Sequence, residues 1–385
     1  MSKIDELIEK LCPDGFDYLP IGMFIEISTG DQINKEKLSI FGDYPVYNGG
    51  IYPSGYFDKF NTPENTIAIS QGGASAGFVN YVRTNFWAGA HCYRVKIISD
   101  RLINKYLYHF LKQKQNLIQN TKQGAGIPGL NRKNITDLLI PVPLLEVQNE
   151  IVRILDNFTE LEAELEAELE ARTKQYKYYR NKLLDFSNGF VGVPKIDNML
   201  AELCPSGIEY KQIGEVIDYV QPTPYIVKSV KYDNVFSTPV LTAGKSFILG
   251  YTNENDGVYS ASKTIPVIIF DDFTTSMHWV DFSFKVKSSA LKILTPINEL
   301  VNFRYLYFIM KALNYSTSNG THERHWISKY SKLEIPVPPL EVQNEIVRIL
   351  DNFSTYVTSL TEGLPAEIKA RRQQYEYYRN KLLTF

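Results

Sequence analysis

The sequence predicts an α+β chain: a duplication giving two sheet-rich globular domains, each followed by a long helix, with the two helices packing together as a coiled coil. Three observations predict it. First, IPVPLLEVQNEIVRILDNF, from Ile140 to Phe158, returns as IPVPPLEVQNEIVRILDNF, from Ile335 to Phe353, with one position changed. Second, apolar residues after each copy recur at alternating intervals of four and three, which is the spacing of a helix packed on another helix. Third, the segments between these copies hold short apolar and aromatic runs punctuated by turn signals, the pattern of sheet. At 385 residues the chain is long enough for two domains with full cores.

The duplication runs through the whole chain. LCPDGFDYLPIG (Leu11–Gly22) opens the first half and LCPSGIEYKQIG (Leu203–Gly214) the second. YPVYNGG (Tyr44–Gly50) has a weaker echo in TPVLTAG (Thr238–Gly244), and QYKYYRNKLLDF (Gln175–Phe186) closes as QYEYYRNKLLTF (Gln374–Phe385). A repeat of this length makes two domains, not a solenoid. The expected segments are a globular domain over 1–142, a helix over 143–186, a second domain over 187–337 and a second helix over 338–385. The bodies between the frames are barely alike. Within them the regions ending at Ser70, His91–Ile98, Thr264–Phe270 and Phe282–Lys287 read as strands, while Asn104–Lys114 and Asn302–Leu313 read as short helices.

Prolines 141 and 143 stand where a helix start loses nothing by lacking an N–H. The first seam is Val147, Ile151, Ile154, Phe158, Leu161 and Leu165, and its second copy begins Val342, Ile346, Ile349 and Phe353. Tyr176, Tyr179 and Leu183 end the first helix; Tyr375, Tyr378 and Leu382 end the second. Seams with aromatics at the far end are expected to pack against one another. Between seam and aromatics the first copy reads ELEA three times, Glu160–Ala171, a four-residue period that drifts from the heptad. The second copy has a different, longer stretch there, in which Gly363 and Pro365 are expected to break the helix.

Net charge is −2, so nothing global points to nucleic acid; yet setting aside the six glutamates between Glu160 and Glu170 leaves +4. The stretch from Arg101 to Lys133 carries Arg101, Lys105, Lys112, Lys114, Lys122, Arg132 and Lys133 without an acid, and Thr321–Lys332 reads THERHWISKYSK. Such clusters suit phosphates, and polar side chains beside them suit base edges. Cys12, Cys92 and Cys204 form no CxxC pair, which fits a reducing compartment. The start of the chain lacks the apolar run of a signal peptide, and no window approaches a membrane span. The expectation is a cytoplasmic protein with no membrane association.

Catalytic signatures fail on inspection. GAGIPG (Gly124–Gly129) follows a helix and contains Pro128, against its use as a dinucleotide loop. AGKS (Ala243–Ser246) has Pro239 where a phosphate-binding loop needs glycine. His322 and His325 lack zinc-protease spacing, and no amino-methyltransferase motif is present. The chain is therefore expected to hold no metal and no cofactor.

At this point the pattern resembles a known family. The hinges IPVPLLEVQ and IPVPPLEVQ, the heptad helix, the acidic tetrads, the YYRNKLL endings and the LCPDG and LCPSG openings closely resemble the specificity subunit of type I restriction–modification systems. GAGIPGLNRKNITDLLIPVP resembles that family's exit from a target-recognition domain, and Leu144 departs from the usual Pro-Pro pair. The resemblance covers the whole chain. It implies two pseudo-symmetric globular domains separated by two long antiparallel helices, in a non-catalytic subunit whose two domains read the halves of a split, asymmetric double-stranded DNA target. It implies as partners two methyltransferase subunits carrying S-adenosylmethionine, and motor–nuclease subunits using ATP and magnesium. Identical partners at two pseudo-symmetric positions would require near-identical frames.

On that reading, the expected DNA contacts in the first domain are Asn48, Gln71, Ser75, Asn131, Arg132 and Lys133, with Gly72 and Gly73 letting backbone approach the duplex. Gln71 and Asn131 would suit adenine, and Arg132 guanine or phosphate. In the second domain they are Lys245, Thr274, Ser276, Arg324, His325, Ser328 and Lys329, with Trp326 in the core. Two competing readings are a coiled-coil scaffold whose domains bind protein, and a fused restriction–methylation enzyme, for which the chain leaves no room.

Overall fold

The computed structural model describes residues 3–124, 128–243, 246–313, 315, 323–359 and 362–384, with side chains from residue 6 onward. Two compact units emerge: Met1–Ala167 with Ala366–Phe385, and Glu168–Pro365. In the first, strands β2 (Ile25–Thr29), β8 (Cys92–Ile97), β5 (Thr66–Ser70) and β6 (Val79–Val82) form an antiparallel sheet in that order. Strands β4 (Tyr56–Phe57), β3 (Tyr44–Tyr47) and β7 (Trp87–Ala88) form a second sheet, in which β3 and β7 run parallel. Strand β1 (Tyr18–Pro20) pairs with β9 (Leu139–Pro141), so the hinge is stitched to the opening motif.

The second unit repeats this topology strand for strand. Its larger sheet has the order β11 (Ile217–Val220), β17 (Leu291–Pro296), β14 (Val267–Asp271), β15 (Met277–Val280). Its smaller sheet is β13 (Ile248–Thr252), β12 (Thr238–Leu241), β16 (Lys285–Val286), again with one parallel pair, and β10 (Glu209–Gln212) pairs with β18 (Glu334–Val337). The bodies differ in sequence but not in fold. Their central strands show why: in β14 all five residues are buried and in β5 four of five. A strand covered on both faces demands only apolar bulk, so it reads as a continuous run that fixes no particular residue.

Helices α1 (Lys3–Leu11) and α6 (Pro194–Leu203) precede the opening motifs. Helix α2 (Asn104–Gln113) buries Tyr106, Leu107 and Phe110, and is followed by α3 (Gln115–Asn120) and α4 (Lys133–Thr136). Helix α5 spans Leu145–Leu183. In the second unit come the short α7 (Ile213–Val216), then α8 (Phe303–Ala312) and α9 (Leu340–Thr358). Helix α10 (Gly363–Leu383) returns to the first unit. The expected break falls between α9 and α10: Gly363 has φ +77°, and a side chain there would lie 2.5 Å from the Tyr356 carbonyl oxygen. No described helix is long and apolar enough to cross a membrane.

The glutamine of each hinge motif explains itself. Gln148 is fully buried; its Oε1 accepts the Ile103 N–H at 2.9 Å, and its Nε2 donates to the carbonyls of Arg101 and Pro143, each at 2.9 Å. Gln343 does the same for Asn302 N–H (2.7 Å), Pro338 O (2.7 Å) and Leu300 O (3.5 Å). Each therefore clamps the start of the body helix to the hinge. Gln148→Ala is expected to destabilise the first unit by about 1–3 kcal/mol for each buried polar group left unpaired, read as a shifted denaturation midpoint. A change below about 0.5 kcal/mol would mean the groups find other partners.

The expected single seam divides in two. Val147 and Ile151 are fully buried together with Leu155, at intervals of four, inside the first unit's core. Ile154 and Phe158 are only half-buried at the edge of that core, Leu165 is half-buried, and Leu161 is 43% exposed. The physical reason is the breadth of the apolar arc: a helix lying between a globular core and another helix needs apolar surface on both sides. Phe158 stacks on Tyr378 at 5.2 Å, and Arg372 pairs with Glu162 and Glu166, so α5 and α10 run antiparallel within this unit. Tyr375 and Leu382 belong to the same core. In the second unit Val342, Ile346 and Leu350 are buried, and Ile349 and Phe353 are half-buried. Tyr176 meets Phe353 edge-on at 5.7 Å, Tyr179 lies 6.4 Å from it, and Leu183 is buried.

Candidate nucleic-acid interface

Three loops of the first unit are pinned together by main-chain bonds at the ends of β3, β5 and β8. The Gln71 N–H donates to His91 O (2.9 Å), the Leu130 N–H to Gln71 O (2.7 Å) and the Gly73 N–H to Pro128 O (2.9 Å). Asn48 Oδ1 accepts the His91 N–H at 3.2 Å. The structure thus brings Asn48, Gln71, Gly72 and Gly73 together, with Asn131, Arg132 and Lys133 directly following the pinned Leu130. Ser75, half-buried, lies in the turn after β5, where its carbonyl accepts the Phe78 N–H at 2.9 Å. Gly73 has φ +80°, so the turn itself calls for glycine. Asn131, exposed, spends its Oδ1 on the Lys133 N–H (3.0 Å) at the first residue of α4. Exposed Arg132 lies 5.5 Å from the Tyr93 ring.

Apart from Arg101, which pairs with Asp17 at 3.8 Å, and Lys114, which lies 5.5 Å over the Phe110 ring, the basic stretch sorts into two groups. Lys105 and the buried His109 both bind the Asp156 carboxylate, and His109 Nδ1 meets the Tyr375 hydroxyl at 3.1 Å, so these groups tie α2 to α5 and α10. Burial draws the His109 pKa downward although Asp156 opposes it. Lys112 sits 4.0 Å over Phe78 and bonds Val79 O (3.0 Å); burial, with Arg379 nearby, pulls its pKa down to about 8. These are structural cations. Lys122, Arg132 and Lys133 are the ones left beside the pinned loops, Lys122 reaching Ala74 O at 3.4 Å.

The second unit carries the same frame. The Asp272 N–H donates to Ala290 O (3.0 Å) and the His325 N–H to Asp272 O (2.8 Å), as Gln71, His91 and Leu130 do in the first. The Lys287 N–H reaches Leu241 O at 2.8 Å, as the Gly89 N–H reaches Tyr47 O at 2.8 Å. Equivalent positions follow: Asn48 with Thr242, His91 with Ala290, Gln71 with Asp272, Tyr93 with Lys292, Leu130 with His325. The last pair corrects one expectation. His325 is 2% exposed with Nδ1 on the Tyr315 hydroxyl at 3.0 Å, because it fills the core position that Leu130 fills in the first unit. It presents no ring to solvent. Trp326 is buried as expected.

Thr274 and Ser276 are exposed at the tip of the β14–β15 hairpin, where the Thr274 hydroxyl bonds Asp271. Asp272 joins this tip to the loop after residue 323: its carboxylate accepts the Trp326 N–H (2.8 Å) and faces Lys292 (3.7 Å) and Arg324 (4.0 Å). Exposed Arg324 therefore stands beside the hairpin, 5.8 Å from the Phe273 ring. Ser328 turns its hydroxyl to Arg324 O (2.9 Å), and Lys329 pairs with Glu323 (2.8 Å), so both are partly engaged locally. Lys245, His322 and parts of GAGIPG and AGKS lie outside the described residues. Sequence reasoning missed His91, Thr242, Lys287 and the Asp272–Lys292 pair. Strand pairing alone exposes them, although the spacing of the duplication from Leu130 to His325 marked that histidine as a core position.

Both halves match one family model, the type I restriction modification DNA specificity domain, over residues 13–171 and 205–370. The EcoR124I/EcoR124II specificity subunit of Escherichia coli is 50% identical over 186 residues, 46% of this chain and 45% of that protein. A putative type I restriction enzyme specificity subunit of Haemophilus influenzae is 32% identical over 377 residues, 91% of this chain and 90% of its own length. The fold is that of the crystallised type I restriction–modification S subunit from M. genitalium, with a TM-score of 0.66 at 20% identity, covering 96% of this chain and 97% of that one. A doubled body on one backbone frame, bounded by near-identical hinges and matched along both halves, places this chain in the family of type I restriction–modification DNA specificity subunits.

Proposed function

We propose that each unit reads one half of a split, asymmetric double-stranded DNA target, and that the chain serves a type I restriction–modification complex without catalysing a step itself. The observation that carries this is the single backbone frame present twice with different side chains on it. A shared frame suits two docking events on the same duplex, and different side chains at equivalent positions suit two different half-sites. Lys122, Arg132, Lys133 and Arg324 would supply phosphate or base contacts near the pinned loops. The near-identical hinge helices would receive two copies of a methyltransferase subunit, which would carry S-adenosylmethionine. Motor–nuclease subunits with ATP and magnesium would complete the restricting complex, in the cytoplasm.

The test is co-expression with the cognate methyltransferase subunit in a methylation-free host, followed by mapping of methyladenine. One split motif with a fixed gap supports the reading. An assembled, cofactor-bound complex that methylates nothing favours a protein-binding scaffold instead. Within that assay, Arg324→Ala is expected to relax one position of the second half-site and leave the first intact. Weakening spread evenly over all sequences would make Arg324 a phosphate contact.

A further inference from the structure

We propose that His91 reads a base in the first half-site, and that Ala290 holds the same station in the second. The inference rests on the DNA-reading function proposed above. His91 stands where the three pinned loops meet. Its N–H donates to Asn48 Oδ1 (3.2 Å) and its carbonyl accepts from the Gln71 N–H (2.9 Å), so its backbone is held on both sides. Its Cβ lies 3.2 Å from where a side chain on Gly49 would sit, and its Nδ1 lies 3.8 Å from the same place on Gly72. The residue is exposed, and among the described residues its ring makes no hydrogen bond. The main chain therefore fixes where the Cα–Cβ bond points, and the ring nitrogens remain available. A residue placed this way is held without spending its side chain, which is what a reading position needs.

Chemistry narrows the base. A neutral imidazole offers one N–H donor and one acceptor. In the major groove that donor can meet N7 of either purine, O6 of guanine or O4 of thymine; N7 is the acceptor that both purines share. Donating to N7, His91 selects a purine. Ala290 takes part in the same backbone bond, with Asp272 in place of Gln71, but offers only a methyl group. The second half-site then carries either no restriction at the matching base or an apolar contact with a thymine methyl.

The experiment uses the intact methyltransferase complex with its specificity chain as wild type, His91→Ala, His91→Gln and Ala290→His, each checked for thermal melting. Methyladenine mapping of His91→Ala is expected to show one purine position of the first half-site opened to all four bases. Discrimination there should fall by between about fivefold and a hundredfold, with the second half-site unchanged. His91→Gln is expected to narrow that position toward adenine, since Gln pairs bidentately with adenine N6 and N7. Ala290→His is expected to add a purine preference to the second half-site only. An unchanged motif in a fully methylating His91→Ala complex overturns the proposal. So does an even loss of methylation with the motif intact, which would make His91 a phosphate contact. A wild-type complex that yields no split motif instead overturns the function on which the proposal rests.

Discussion

Deleting Glu164–Ala167 is expected to shorten the gap between the two half-sites and leave both half-site sequences as they were. The four residues are one ELEA tetrad, about 6 Å of helix, against about 3.4 Å per base pair along the duplex. The gap should therefore close by one to two base pairs. The boundary between the two compact units on α5, at Ala167 and Glu168, lies at the end of this tetrad. The repeat protects the packing: Arg372 pairs with Glu162 and Glu166 within the first unit, and the deletion slides Glu170 into the place of Glu166. Four residues also come close to one helical turn, so the buried face of α5 keeps its direction. Mapping methyladenine in the deletion complex reads the outcome directly. A half-site altered in sequence would show that the tetrads shape recognition and do not merely space it.

Asp272→Ala is expected to be the most damaging single substitution in the second unit. Asp272 and Lys292 are each 1% exposed, with the ammonium 3.7 Å from the carboxylate. Burial lowers the Lys292 pKa and Asp272 partly restores it, so the lysine relies on this partner for its charge. The substitution removes that partner and also strips the Trp326 N–H of its acceptor. Breaking a buried pair from one side costs about 3–5 kcal/mol, a large part of a domain's stability. Hydrogen exchange should quicken over 267–280 and 323–330 while the first unit's strands are unchanged. Recognition of the second half-site should weaken with it, because the Asp272 carboxylate also faces Arg324. The first unit has Gln71 and Tyr93 at the equivalent stations. The double change Asp272→Gln with Lys292→Tyr copies that arrangement and is expected to recover much of the loss. A single variant within about 1 kcal/mol of wild type would mean the pair contributes little.

The frame of this protein was legible because its constraints are local and repeated. Hinge prolines, a buried glutamine and helix-spaced apolar residues have few substitutes, so duplication left them almost unchanged. Even there the seam was read as one line, because spacing shows that positions are apolar but not which surface each one meets. Leu155 went unremarked for the same reason: a position four residues after Ile151 belongs to the core face, and only packing shows that a core is there.

The candidate site was legible only in part. Asn48, Gln71, Gly73 and the 131–133 run could be picked out as polar or turn residues in loops, and the fold does bring them together. His91 could not be picked out, because a histidine before a strand carries no signal until β8 is paired with β5 and its neighbours become Asn48 and Gln71. His325 looked like a contact and lies in the core. By itself, then, the sequence determined the duplication, the hinge helices and the family. Tertiary structure decided which strand order the two bodies share and which side chains stand on its equivalent stations. Sheet frames are held by main-chain hydrogen bonds, which any residue can make, so the same fold persists while the side chains that would do the reading diverge.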